Sequence, residues 1–416
     1  VNILLLHYAG PPVIGGVESV LAQHARLMAD AGHQVCVAAG RGAQFDPRIP
    51  FLPVPLADSR HPQVLAAKQV LDTGAVPEEF AGLVRLVRQA LTPHLAQADL
   101  LVVHNVCSLH LNLPLTAALW EMAEQALPSR WILWHHDLAW ATPRYQRELY
   151  PAYPWNLLLR DWPHTTHVVV SEQRRQELAG LLHLPQEQVQ VIPNGVSYTR
   201  FLKLELATLT IASQLDLLSA SPLLLLPVRI TQRKNIELAL EILAALREPF
   251  PQARLVVTGP LGAHNPANAA YFSDLLARRR RLGLQRCAHF LAELSEAPLP
   301  DAVIADFYRM SDALLLPSRE EGFGIPILEA GLAGIPIFCA DIPPLRALAG
   351  ANGQYFSPDG EAGVIAQQIS ACLCSSPILQ LRTQVRTQFT WERIYSEQIA
   401  PLLEYSKANH EKTLHT

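Results

Sequence analysis

Charge is scarce in this chain. Asp, Glu, Lys and Arg make up 17% of its 416 residues, and 33 basic against 37 acidic residues leave a formal net charge of −4. No basic excess points to a nucleic-acid partner, and no long block of like charge forms an acidic or basic tail. Cysteine is sparse too: Cys36, Cys107, Cys287, Cys339, Cys372 and Cys374 include no Cys-x-x-Cys pair. They read as small buried hydrophobes in a reducing compartment, which argues against a disulfide frame or a zinc site. No stretch reaches the roughly 18 apolar residues needed to span a bilayer. The chain opens on a strand-like run instead of a basic leader and apolar segment, so a soluble, cytoplasmic protein is expected. No Gly-x-Gly-x-x-Gly with a following acidic residue appears after that first run, which speaks against a nicotinamide-dependent dehydrogenase.

What the chain does have is apolar substance and proline. Half of its residues are hydrophobic and 33 are proline. Its length exceeds one ordinary core, so two domains are expected. Asn2 to His7 reads as a buried strand. Between Val17 and Ala31, the residues Val17, Val20, Leu21, His24, Leu27 and Met28 share one helical face, and Gly32 ends that helix before a strand at Gln34–Ala39. Further strands are predicted at Leu100–His104, Trp131–His135, His167–Ser171 and Val189–Ile192. The proline-dense stretch 40–77 reads as loop and short pieces.

After a polar connection around Ser197–Ser221 the same style restarts. Strands are predicted at Leu223–Val228, Arg254–Thr258, His289–Leu291, Ala313–Pro317 and Pro336–Ala340. Helices are predicted at Ile236–Leu246, Tyr271–Leu282 and Pro326–Leu332, with Asp306–Met310 part of a short one. Two such alternations imply two doubly wound, parallel α/β domains. Ligands of these sheets sit outside the carboxyl ends of the strands.

Four loops at such ends carry chemistry-bearing residues. The run from Pro317 to Pro336 passes from a strand through Glu321, Gly322, Phe323 and Gly324 into a helix bearing Glu329. Its glycines let backbone N–H groups approach a ligand, and the helix start adds positive potential. Glu329 lies among apolar neighbours, where a carboxylate needs donors such as ribose hydroxyls. From Pro227 to Asn235, another strand exit presents Arg229, Arg233 and Lys234, of which Arg233 reads as a solvated basic turn. Gly15 and Gly16 open the first helix, and Trp134-His-His-Asp137 ends a strand. Strand alternation sends His135 and His136 to opposite faces; His136 is favoured by its place before Asp137, with His135 its competitor.

The pattern Glu-Gly-Phe-Gly-x-Pro-x-x-Glu-Ala, with Gly-x-Pro shortly after, resembles the signature of the retaining group 1 nucleotide-sugar glycosyltransferases of GT-B fold. The resemblance implies two Rossmann-like domains facing across a cleft: 1–200 on the acceptor side, 201–385 on the donor side, and a closing helix in 386–416 that returns to the first. By that resemblance Glu329 holds the donor ribose, while Glu321 and the backbone of Gly322, Phe323 and Gly324 face the sugar. Arg229 and Lys234 grip the diphosphate, His136 is aimed at the sugar, and Gly15 and Gly16 lie over the phosphates or line the acceptor side. Gly259 sits beside the donor, and the backbone at Leu291 meets the base. Val191 to Val196 and Phe389 to Glu392 resemble further family segments. Ser197 stands where Asp is usual and Ala292 where Gly is common, which leaves the base contacts open.

The implied reaction moves a hexose from UDP-glucose or GDP-mannose to an acceptor hydroxyl with retention. No Asp-x-Asp occurs in the chain, so Arg229 and Lys234 are expected to neutralise the leaving diphosphate without a metal or other cofactor. The acceptor is a sugar, a lipid-linked or another small molecule, with peripheral membrane association and oligomeric state left open. Residues 40–77 and the aromatic run with Trp140, Tyr145, Tyr150, Tyr153 and Trp155 are candidates for acceptor contacts, packing being the alternative. A sugar-nucleotide epimerase of the same fold and a non-catalytic nucleotide-sugar-binding protein are the rival readings. An α-glucan phosphorylase would need a lysine for pyridoxal phosphate and a much longer chain.

Overall fold

The computed structural model describes residues 1–125, 129–262, 267–295 and 297–404. The chain divides into two units, Val196–Thr390 and a unit formed by Val1–Gly195 with the segment from Trp391 onward. Of the expected closing segment, residues 405–416 lie outside those described.

Among its described residues the N-terminal unit holds seven strands: β1 Asn2–Ala9, β2 Gln34–Arg41, β3 Phe51–Pro53, β4 Leu100–His104, β5 Arg130–His135, β6 Thr165–Val169 and β7 Val189–Val191. They form one parallel sheet in the order β3-β2-β1-β4-β5-β6-β7. The order reverses between β1 and β4, the place where such sheets take ligands. Every residue of β4 is buried, as a sheet covered on both faces requires. Its principal helices are α1 Gly16–Asp30, α2 Pro62–Leu71, α3 Phe80–Leu95, α4 Leu113–Glu124 and α5 Glu172–Leu182. In α1 the buried face is Val20, Leu21, Ala22, His24, Ala25 and Met28, while Val17 and Leu27 are only half-buried. Gly32, at φ 85°, follows that helix. The segment from Trp391 packs within this unit: a Cβ at Gly195 would lie 2.9 Å from the Trp391 ring, and Arg130 donates to the Leu402 carbonyl at 3.2 Å.

The C-terminal unit has the sheet order β10-β9-β8-β11-β12-β13, again parallel throughout. Its strands are β8 Leu223–Leu226, β9 Arg254–Val257, β10 Ala288–Phe290, β11 Ala313–Leu316, β12 Ile337–Ala340 and β13 Gly353–Phe356. The helices are α6 Tyr198–Phe201, α7 Leu206–Gln214, α8 Ile236–Leu246, α9 Ala267–Arg281, α10 Asp301–Met310, α11 Ile325–Ala333, α12 Pro343–Ala349, α13 Ala362–Ser375 and α14 Pro377–Gln388. Leu223, Leu224, Leu225 and Leu226 are all fully buried at the centre of this core.

Several expectations need correction. The stretch 40–77 contains β3, a short turn of helix at Pro55–Ala57 and α2. The connection 197–221 is helical over α6 and α7. The strand expected to reach Ser171 ends at Val169, because Ser171 caps α5, its Oγ accepting from Arg174 N at 3.2 Å. All six cysteines are unpaired, but Cys374 is exposed and not a core residue. No single helix among the described residues is long and apolar enough to cross a membrane.

Candidate active site

In the C-terminal unit two strand exits are tied together. After β8 the chain passes exposed Arg229 and makes a turn of helix at Gln232–Lys234. Asn235 then adopts φ 54°, a left-handed conformation that Asn tolerates, and α8 begins. Its buried carboxamide donates to the Pro317 carbonyl at 3.1 Å and the Pro358 carbonyl at 2.8 Å. Arg319 N donates to the Arg233 carbonyl at 2.8 Å, and Arg233 Nη1 to the Glu320 carbonyl at 3.2 Å. Arg233 therefore holds the glutamate loop and is more than a solvated turn residue.

These contacts set Lys234 Nζ 2.5 Å from Glu321 Oε1, which also accepts from Ser318 Oγ at 2.8 Å. Burial, with Arg233 acting in the same direction, lowers the Lys234 pKa in spite of the Glu321 carboxylate beside it. An ammonium so placed is desolvated and held by one carboxylate.

Beyond Glu321, Gly322 and Phe323 are exposed. Gly324, at φ 103°, is the residue before α11, and a Cβ there would lie 2.7 Å from Leu345 Cδ2. Both the conformation and the space demand glycine. On α11, Glu329 Oε2 accepts from the Tyr308 hydroxyl at 2.6 Å. The two residues flank a cavity of about 300 Å³ lined also by Asp301, Ile304, Arg309 and Leu332. A Cβ on Gly259 would fall 2.1 Å from the Val228 carbonyl oxygen and 2.6 Å from Arg229 N, so this glycine lets two strand exits touch. The Leu291 side chain is buried in the core, and its carbonyl already accepts from Leu294 N at 3.0 Å and Ser295 N at 3.3 Å.

In the N-terminal unit, histidines line the carboxyl ends of the central strands. His7 in β1 bonds the His104 carbonyl through Nδ1 at 2.8 Å, and His104 Nδ1 lies 3.1 Å from His136 Nε2. Burial drives the His136 pKa down to about 3, with His24 and His7 contributing in the same direction, and holds His104 well below its ordinary value. His24, wholly buried between Trp134 and Trp391, is pushed down to about 3 by burial alone. His135 turns away: its Nε2 lies 3.1 Å from His167 Nδ1, and His167 Nε2 lies 3.1 Å from Asp161. Gly15 caps α1, and a Cβ there would collide with the Glu18 carboxylate at 2.0 Å, whereas Gly16 has open space around it.

The two segments considered for acceptor contacts meet at another cluster. Asp72, His110 and Glu148 offer ligand atoms within 4.8 Å of one another. Lys68 Nζ already bonds Asp72 Oδ1 at 2.7 Å and Glu148 Oε2 at 2.8 Å, so a side chain supplies the cation. Tyr150 and Trp155 pack edge to face nearby, with ring centroids 5.0 Å apart, and Tyr145 packs on His110. Packing accounts for these aromatics. Sequence patterns gave no signal for Tyr308, His104 or Asn105, whose partners lie far along the chain, nor for Ser318, whose partner Glu321 is three residues away in the same loop.

Two doubly wound parallel units in succession, with a glycine-turn carboxylate and a lysine gathered at strand exits of the second, define a protein of GT-B architecture. Residues 14–200 match the family described as Glycosyltransferase Family 4, and residues 210–387 match Glycosyl transferases group 1. The chain belongs to the group 1 glycosyltransferases. It is 31% identical over 182 residues to a D-inositol 3-phosphate glycosyltransferase of Thermobispora bispora, covering 42% of this chain and 40% of that protein. It is 25% identical over 253 residues to the Jonesia denitrificans protein of the same name, covering 56% and 55%. The chain thus matches about half the length of these curated relatives or less. Sucrose-phosphate synthase of Thermosynechococcus elongatus aligns over 98% of this chain and 99% of its own, at 18% identity and a TM-score of 0.38, a likeness too loose to carry function.

Proposed function

We propose that this protein transfers a hexose from a nucleoside-diphosphate sugar, UDP-glucose or GDP-mannose, to an acceptor hydroxyl with retention of anomeric configuration. The buried Lys234, held against Glu321 at the carboxyl end of its sheet, is the observation that carries this reading. As the bond between the anomeric carbon and the diphosphate oxygen breaks, negative charge grows on the diphosphate. Lys234 and Arg229 stabilise it where it develops, so no divalent cation is invoked. The acceptor oxygen enters on the face from which the diphosphate departs, forms the new bond to the anomeric carbon, and passes its proton to a diphosphate oxygen. Position and electrostatics do the work, and no side chain need act as base.

Glu329 takes the ribose hydroxyls, and His136, neutral at working pH, donates to the transferred sugar. The unpaired cysteines suit a reducing, cytoplasmic setting. A screen of UDP-glucose and GDP-mannose with and without acceptors, D-inositol 3-phosphate among them, tests the reading by release of free UDP or GDP. Release of nucleotide with a glycosylated product supports transfer. Conversion of the sugar nucleotide without an acceptor makes the protein an epimerase, and binding without turnover makes it a non-catalytic carrier.

A further inference from the structure

His136 is held twice by two consecutive residues at the end of the neighbouring strand β4. Asn105, at φ 59°, turns its carboxamide so that Oδ1 accepts from His136 N at 2.7 Å and from Asp137 N at 3.1 Å. Its own N–H donates to the Trp134 carbonyl at 2.9 Å, fixing the exit of β5. His104 meets the ring: Nδ1 lies 3.1 Å from His136 Nε2, with the ring planes 21° apart. Both residues are buried, and the left-handed backbone at Asn105 lets the pair address one residue with a side chain each. We propose that His104 and Asn105 are positioning residues for His136, setting the direction of its ring and which ring nitrogen carries the proton. The inference rests on the reading that His136 contacts the transferred sugar.

The proton follows from the bonding. His104 Nε2 is buried with no hydrogen-bond partner among the described residues. An N–H there would be an orphaned donor, which is costly in a protein interior. The His104 proton therefore sits on Nδ1 and is donated to His136 Nε2. His136 in turn carries its proton on Nδ1, a neutral donor suited to a sugar hydroxyl or ring oxygen. His7, bonding the His104 carbonyl from β1, steadies the same strand end.

The test uses the full chain with the nucleotide sugar, UDP-glucose or GDP-mannose, that supports turnover. His104→Leu removes the ring contact, whereas His104→Asn returns a hydrogen-bonding group near the Nδ1 position. Asn105→Gly keeps the left-handed backbone without the acceptor, and Asn105→Asp restores the acceptor. His104→Leu and Asn105→Gly are expected to lower kcat about tenfold to a hundredfold, the scale of a misdirected reacting group, with KM for the donor little changed. His104→Asn and Asn105→Asp recover most of the rate. In the wild-type protein, nitrogen-15 NMR of labelled histidine should show His136 protonated on Nδ1, a readout independent of how the variants fold. Protonation on Nε2 overturns the proposal, as does normal kcat in His104→Leu and Asn105→Gly when His136→Ala has lost activity. Normal kcat in His136→Ala overturns instead the reading beneath it.

Discussion

Lys234 Nζ and Glu321 Oε1 lie 2.5 Å apart although 87 residues separate them in the chain. Removing either partner strands the other in a poorly solvated place, while only Lys234 is proposed to meet the diphosphate. Lys234→Met leaves Glu321 with Ser318 and, at 3.9 Å, Arg233. It should cost stability on the order of 3 kcal/mol, as breaking a buried pair does. Adding Glu321→Gln should recover most of that loss. If Lys234 is the cation that meets the leaving group, turnover should stay about a hundredfold to a thousandfold down in both proteins. Denaturation midpoints and kcat measured on the same proteins separate the two effects, and full activity in Lys234→Met removes this lysine from the chemistry.

Glu329 and Tyr308 pose a different question, since a carboxylate expected to hold ribose already accepts from a phenol. Burial pushes the Tyr308 pKa up and the Glu329 carboxylate pushes it further, so the phenol stays protonated and donating. A carboxylate can accept more than one hydrogen bond, and ribose can share it. Glu329→Ala should weaken binding of UDP or GDP by about tenfold or more, the scale of a hydrogen bond to a charged group. Tyr308→Phe should leave nucleotide affinity near wild type. Calorimetric titration of both variants decides it, and unchanged affinity in Glu329→Ala makes that residue structural.

The fold was legible where burial is continuous. The Leu223–Leu226 run and α8 stand out because nearly every position is apolar. In α1 the apolar period includes the half-buried Val17 and Leu27 and misses the buried Ala22 and Ala25, because small side chains barely register in it. The three-residue edge strand Phe51–Pro53 is too short to show a period at all. At the site, glycine-turn and lysine motifs marked Glu321, Gly324 and Lys234. Nothing local marks Asn105 or Tyr308, whose roles exist only once strands or helices distant in sequence lie side by side.

Acid should weaken the N-terminal unit through its buried histidines. His24 and His136 are held down to about 3 in the folded protein, and His7, His104 and His135 are lowered as well, burial being the leading cause in each. The unfolded chain protonates each near pH 6.5. Below that value and down to about 3 the unfolded state binds more protons, so stability falls as pH drops and is fully present only above about 7. One such group contributes about 2 kcal/mol of the change between pH 7 and pH 5. His24→Phe should flatten the profile by that amount, since both His24 ring nitrogens lack partners among the described residues. Urea unfolding at pH 5 and pH 7.5 measures it, and an unchanged slope would show that His24 is protonated in the folded state.

The glycines at these strand exits of the C-terminal unit separate packing from ligand approach. At Gly259 a methyl group would sit 2.1 Å from a backbone oxygen, and at Gly324 it would add left-handed strain to a 2.7 Å contact, so alanine at either position should destabilise the fold. Gly322 differs: nothing lies within 4 Å of a Cβ built there. Gly322→Ala should therefore unfold within about 0.5 kcal/mol of wild type, as open surface substitutions do. Any loss of function then reports what approaches from outside. If backbone N–H groups of this loop meet the donor closely, the added methyl should raise Kd for the nucleotide sugar while the denaturation midpoint stays put. Wild-type Kd and kcat in Gly322→Ala would show that the ligand does not come within a methyl group's reach of this turn.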